Sequence, residues 1–196
     1  MAFYRPDSDL NQALQAVLQE LQTSRPGLEE QLSVTWLVYD SCPLDVASGL
    51  QSLDVWSLPI RGAAHRSDQQ RYPASVVKLA YAMAVEQWLS RDLLLESPEL
   101  RRAMQDMIAD SSNDATSLVM DLLSGTTSGP ELPPDPFSSW ARQRQLVNQW
   151  FASLGWPEWE GSNACQKTWG EGPYGRERQF YGAELQNRNR LSLIHI

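Results

Sequence analysis

The segment RYPASVVKLAYAMAVEQW, residues 71–88, restricts the fold more than any other stretch. Val76, Val77, Leu79, Ala80, Ala82, Met83, Ala84 and Val85 surround Lys78 on almost every side of a helix. A helix that is apolar all round is normally buried. Lysine is among the residues least often found fully buried without a partner. The chain has 16 Lys and Arg residues, of which only Lys78 and Lys167 are lysines. A lysine in the middle of this helix therefore needs a chemical reason.

Ser75 lies three residues before Lys78, and positions i and i+3 share a helical face. A serine hydroxyl is a weak nucleophile until a neighbouring base takes its proton. A desolvated lysine has its pKa lowered and becomes such a base. The spacing predicts that Lys78 activates Ser75 and that each polar group satisfies the other. The bland alternative is a chance coincidence in a serine-rich chain, with Lys78 snorkelling to the helix edge.

The 196 residues suit one domain with a substantial core. A hydrophobic share of 42% is ordinary for a globular protein. The net charge of −8, with no basic stretch, argues against nucleic acid as a partner. The apolar run 76–89 is too short and too polar to span a bilayer, so no transmembrane segment is expected. MAFYRPDSDLNQ has no secretory pattern. Cys42 and Cys165, without a C-x-x-C, suggest neither a metal site nor a disulfide framework.

Residues 8–22 place Leu10, Leu14, Val17, Leu18 and Leu21 on one helical face, capped by Ser8 or Asp9 and ended by Pro26-Gly27. QLSVTWLVYD (31–40) reads as a strand and LDVWSLPI (53–60) as a second. RGAAHRSDQQ reads as a polar loop. Helices follow at 97–110, with Ser97 as N-cap and Pro98 at N1, and at 114–125, with Gly125 as stop. The inner face of the latter comprises Ala115, Leu118, Val119, Leu122 and Leu123. GTTSGPELPPDPF is a loop rich in glycine and proline, and 139–156 is a further amphipathic helix. Periodicity vanishes from 157 to 190, which predicts a long irregular stretch. Two strands alone are marginal, so further strands are expected to complete the sheet.

DSSND, Asp110 to Asp114, joins two of these helices. Ser, Asn and Asp are helix-capping residues, so capping alone explains the composition. Combined with Ser75-Val76-Val77-Lys78, however, Ser111-Ser112-Asn113 resembles the second motif of the serine β-lactamase and penicillin-binding-protein family, most closely the class A β-lactamases. There S-x-x-K is followed by S-D-N and then K-T-G. Tyr72-Pro73-Ala74 before the serine and MIADSSNDATSLVMDLL around the second motif are similar to the family's wording. The resemblance covers residues 30 to 125 well and the rest loosely.

The resemblance implies an α+β fold, a three-layer α/β/α arrangement of a helical subdomain beside an antiparallel sheet. Ser75 would be acylated, Lys78 would be the base or its proton-handling partner, and Ser111 would pass a proton to the leaving nitrogen. Asn113 would bind the substrate amide and Lys78, and the Ser75 N–H would be one oxyanion donor. The substrate would be a β-lactam or a peptidoglycan peptide, with no metal or organic cofactor, and the complete protein would be a monomer. Family members act outside the cytoplasm.

Three features depart from the family. Ser112 replaces the middle Asp. Ser111 follows Ser75 by 36 residues, a short interval for class A. Lys167-Thr168-Trp169 mimics the third motif, but the bulk of Trp169 argues for a surface-loop lysine instead. Glu177 and Glu184 are the candidates for the deacylating glutamate, and each also reads as a solvated charge. If neither serves, the enzyme would acylate and turn over slowly, as penicillin-binding proteins do. LSLIHI (191–196) resembles one frame of a sequencing adapter. The expected division is a helix at 1–30, a serine hydrolase domain at 31–190 lacking its last strands and third motif, and a non-native tail. Such a fragment is expected to be inactive and poorly soluble.

A Ser-His-Asp hydrolase is disfavoured, because His65 and His195 are the only histidines and no G-x-S-x-G occurs. The better rival is a non-enzymatic cell-wall binder whose tryptophans between 140 and 169 stack on sugars, although tryptophan at helical spacing is more often core.

Overall fold

The computed structural model describes residues 4–39, 60–69, 71–165, 167 and 172–186. The fold is α+β, predominantly helical with a small mixed sheet. It divides into two compact units, Met1–Gln70 and Arg71–Ile196.

In the first unit, β1 (Arg5–Pro6), α1 (Ser8–Ser24), α2 (Leu28–Gln31), β2 (Val34–Tyr39) and β3 (Ile60–His65) form a sheet of order β1-β3-β2 with helices. β2 runs antiparallel to β3, from Val34 opposite His65 to Tyr39 opposite Ile60. β1 runs parallel to β3, pairing Arg5 with Arg61 and Pro6 with Gly62. The sheet is thus mixed, where an antiparallel one was expected. Residues 61–65 are strand rather than polar loop, because β2 supplies a ladder that their small side chains do not advertise. Of the 53–60 candidate, only Ile60 lies within the described residues, and it opens β3.

Asp7, rather than Ser8 or Asp9, caps α1, accepting from the backbone N–H groups of Asp9 and Leu10 at 3.0 Å each. The Leu10 N–H first, and then Arg61 at 2.8 Å, hold the Asp7 carboxyl below its usual range. Leu14 and Leu18 of α1 pack with Ala63 of β3 as a small core, flanked by Leu10, Leu32 and Val34. Gly62 has no room for a side chain, because the Tyr4 ring lies against the position a Cβ would take.

The second unit is helical. A 3-10 turn (Ala74–Val76) leads into α3 (Val77–Ser90), followed by α4 (Pro98–Ala109), α5 (Asn113–Ser124), α6 (Pro134–Arg144), α7 (Leu146–Ser153), a 3-10 turn (Pro157–Trp159) and α8 (Gly175–Gln186). Ser97 caps α4 by accepting from the Leu100 N–H at 3.0 Å, with Pro98 at N1. Gly125 stops α5 in the left-handed conformation, φ 62°. The core gathers Tyr81, Ala84 and Val85 of α3, Leu100 and Met107 of α4, Val119, Met120 and Leu123 of α5, and Val147 and Phe151 of α7.

Four expectations change here. α3 is buried on one side only, since Leu79 and Met83 are exposed, as is Val76 just before it. The expected helix 139–156 is two helices broken at Gln145, and α6 begins at Pro134, inside the expected loop. The irregular stretch contains α8, whose weak polar–apolar segregation hides it from periodicity. The inner face of α5 also rotates: Thr116 and Met120 are buried, while Leu118 and Leu122 reach solvent.

Candidate active site

Lys78 is the second residue of α3 and is 3% exposed. Its ammonium donates to three oxygens of the α4–α5 connection: the Ser111 carbonyl at 2.5 Å, the Ser111 Oγ at 2.9 Å and the Asn113 Oδ1 at 3.0 Å. Those partners lie 33 and 35 residues away in sequence, so the contact joins the two motifs in space. An ammonium has three N–H groups, and all three are used.

No carboxylate pairs with Lys78 among the described residues. Burial without a counter-ion pushes its pKa below the ordinary lysine value of 10.5. The Ser111 hydroxyl can also rotate and donate its own proton. A neutral Lys78 would then receive that O–H on its lone pair, so the contact can carry a proton either way.

The connection is built to present these oxygens. Ser112 caps α5, its Oγ accepting from the Ala115 N–H at 3.2 Å. The Ser112 carbonyl accepts from the buried Thr116 hydroxyl at 2.7 Å, and the Ser112 N–H donates to the Asp106 carbonyl at 3.0 Å. Between these clamps Ser111 adopts φ 54°, a left-handed conformation that costs a non-glycine residue about 1–2 kcal/mol. Its carbonyl and hydroxyl both meet Lys78 as a result. Ser112 thus meets the capping reading of DSSND, while Ser111 and Asn113 are the residues that contact Lys78.

Ser75 sits in the 3-10 turn before α3 and is exposed. Its hydroxyl makes no hydrogen bond to Lys78 among the described residues, so the two groups do not satisfy each other as the spacing predicted. Lys78 is turned toward Ser111 and Asn113 instead. Ala74, immediately before Ser75, also has a left-handed backbone, φ 46°. Strained backbone of this kind clusters at functional sites, and here it flanks Lys78 on both chain segments.

Glu177 is placed elsewhere. It is buried and accepts from the Arg144 guanidinium at 2.6 Å and from the Ser128 hydroxyl at 2.9 Å. Arg144, fully buried, reaches Asp121 at 3.2 Å and lies 4.8 Å from the Trp140 ring centroid. Lys167 completes this cluster, pairing with Asp121 at 2.5 Å and donating to Ser128 at 3.0 Å. Neither Glu177 nor Lys167 is thus a solvated surface charge. Sequence reasoning missed Arg144, Asp121 and Ser128 altogether. Each sits in an ordinary polar context, and only the packing of α5, α6 and α8 brings them together. Glu184 is a residue of α8, while Thr168 and Trp169 lie outside the described residues.

Of the described tryptophans between 140 and 169, Trp140 is buried and Trp150 and Trp159 are half-buried. Trp88 donates to the Leu123 carbonyl at 3.1 Å and meets Trp150 edge-on at 5.5 Å, and Trp140 is buried against Phe180. Trp36 and Trp156 are exposed, Trp156 at 46%. No group of side chains suited to hold a metal ion occurs among the described residues, and no helix among them is long and apolar enough to cross a membrane. No family model matches the chain, and neither a curated protein nor a solved structure matches it.

Proposed function

We propose that the chain is a serine hydrolase of the β-lactamase and penicillin-binding-protein type, with a β-lactam or a peptidoglycan peptide as its substrate. One observation carries this reading. A buried lysine without a carboxylate partner is held by Ser111 and Asn113, the two residues the S-x-x-K and S-x-N resemblance would place beside it. A structural lysine at this depth would ordinarily find a counter-ion.

In the proposed reaction the Ser75 Oγ attacks the amide carbonyl, and its proton passes to neutral Lys78. The Oγ–C bond forms and the C–N bond breaks. Lys78 returns the proton through the Ser111 hydroxyl to the departing nitrogen, leaving an acyl-Ser75 ester and a free amine. The Ser75 N–H, in the 3-10 turn before α3, would donate to the oxyanion. Water must then cleave the ester.

The engagement of Glu177 favours a second form of the same reading, in which deacylation is slow. Its carboxylate is already tied to Arg144 and Ser128, so it is not available to orient a hydrolytic water. Acylation needs only Ser75, Lys78, Ser111 and Asn113, whereas turnover needs a further base. The finer architecture, a three-layer α/β/α fold, belongs to the same proposal.

The test is intact-mass analysis after incubation with a fluorescent penicillin. A single adduct that maps to Ser75, disappears in Ser75→Ala and outlives the incubation supports the slow-deacylating form. Rapid appearance of hydrolysed drug without adduct supports β-lactamase turnover. A folded chain that never forms an adduct sinks both forms and favours the non-catalytic cell-wall binder.

A further inference from the structure

We propose that a cleft at the C-terminal end of α7 is a binding site for a neutral pyranose sugar, separate from the chemistry assigned to Ser75. The cleft has a volume of about 390 Å³ and lies between α7, which gives Gln149 and Ala152, and the turn that carries Trp156, Trp159, Glu160 and Ser162. That volume falls within the range of small-molecule sites.

Its walls are fixed before any ligand arrives. The buried Phe151 ring stacks on Trp159 at 3.8 Å between centroids and an interplanar angle of 17°. Phe151 also supports Trp156 at 6.1 Å. Asn148 staples the following segment to α7, donating to the Asn163 Oδ1 at 2.8 Å and accepting from the Ala164 N–H at 2.7 Å. A preformed site avoids the ordering cost that weakens binding by mobile loops.

The chemistry of the lining selects the ligand class. Trp156 keeps much of its ring open to solvent beside Ala152, an apolar platform with little conformational freedom to lose. Gln149, whose carboxamide also donates to the Arg142 carbonyl, and the polar residues Glu160 and Ser162 line the same cleft. A purely apolar ligand would strip water from these groups and give nothing back. An anion would meet the Glu160 carboxylate in a chain of net charge −8. A pyranose satisfies both demands: its C–H face lies on the indole, and its equatorial hydroxyls reach the carboxamide, hydroxyl and carboxylate at the rim.

The experiment titrates the full chain with cellobiose and with N,N′-diacetylchitobiose, following tryptophan indole N–H resonances and isothermal titration heats. Saturable binding is expected, with the Trp156 indole signal shifting. Trp156→Ala should weaken it by about tenfold or more, the usual scale for truncating an aromatic anchor. Gln149→Ala should weaken it by about threefold, the scale of one net hydrogen bond, and it covers the case in which the tryptophan variant misfolds. Ser75→Ala should bind sugar with unchanged affinity, even if no penicillin ever labels Ser75. Failure of labelling and failure of sugar binding are therefore separate results. The proposal is overturned if neither sugar saturates the site, if both cleft variants bind normally, or if Ser75→Ala abolishes binding.

Discussion

The chain's two lysines are both buried, and their surroundings differ in kind. Lys78 faces three neutral oxygens. Lys167 faces the Asp121 carboxylate, inside a cluster where Arg144 and Glu177 supply a second pair of opposite charges. The backbone beneath them differs as well. Around Lys78 the left-handed positions are held by Ala74 and Ser111, residues that pay for the conformation. At the entry to α8 the same role falls to Gly175, φ 52°, where a Cβ would collide with the Gly129 carbonyl. One site is compensated in charge and relaxed in backbone, and the other is neither. A buried cation without a counter-ion is a liability for folding unless it does something else, which is why Lys78 and not Lys167 is read as chemical.

The largest expected effect separates the sites by activity. Lys78→Met should lower the rate of Ser75 labelling by about 10²–10⁴, the range for a general base, while Lys167→Met should leave the labelling of folded protein nearly unchanged. Equal losses in both variants would erase the distinction. The penicillin-labelling rate measured by stopped incubation decides it.

Stability should divide the other way. Arg144→Met strands the buried Glu177 carboxylate and should cost about 3–5 kcal/mol, because breaking a buried pair leaves an uncompensated charge. Lys78→Met removes an uncompensated charge instead and should be neutral or stabilising by ~1 kcal/mol. Urea denaturation of the two variants reads both signs. A destabilised Lys78→Met of the same size as Arg144→Met would mean that the Ser111–Asn113 contact is structural.

The pH dependence sharpens the comparison further. Burial lowers the Lys78 pKa in the folded chain, while the unfolded chain titrates near 10.5. Between the lowered value and 10.5 the unfolded state binds the extra proton, so stability should rise with pH across that window. Labelling of Ser75 should rise over the lower part of the same window, as neutral Lys78 appears. Denaturation midpoints and labelling rates measured along one pH series should share that inflection, and Lys78→Met should remove it from both. A rate profile flat up to pH 10.5 would mean that Lys78 is not the base.

What was legible in the sequence follows the same contrast. α1, α4 and α5 announce themselves by periodicity and caps, since Ser97-Pro98 and Gly125 are local devices that act on their own neighbours. The meeting of Lys78 with Ser111 and Asn113 was readable only because two short motifs resembled one family. The direction of the Lys78 side chain was not, because i,i+3 spacing places residues on one face without saying which neighbour wins the hydrogen bond. β3 was missed because Gly62, Ala63 and Ala64 have no strand pattern of their own and take their conformation from β2 and β1. The Arg144 cluster was unreadable because its partners are 23 and 33 residues apart, joined by packing alone.

The smallest expected effect tests the backbone half of the contrast. Ala74→Gly places the residue that tolerates φ 46° where alanine is strained. The strain released, about 1–2 kcal/mol, is partly offset by the freedom glycine gains in the unfolded chain, about 0.5–1 kcal/mol. A net gain of several tenths of a kcal/mol in urea denaturation is expected. Labelling of Ser75 should fall modestly, because the next residue along is then held less firmly in the 3-10 turn before α3. Gly175→Ala, the converse change at the relaxed site, should destabilise by more than Ala74→Gly stabilises, since it adds both backbone strain and a collision with the Gly129 carbonyl. If Ala74→Gly loses stability and raises labelling, the left-handed turn before Ser75 hinders the nucleophile rather than presenting it, and the backbone part of the comparison fails while the electrostatic part stands.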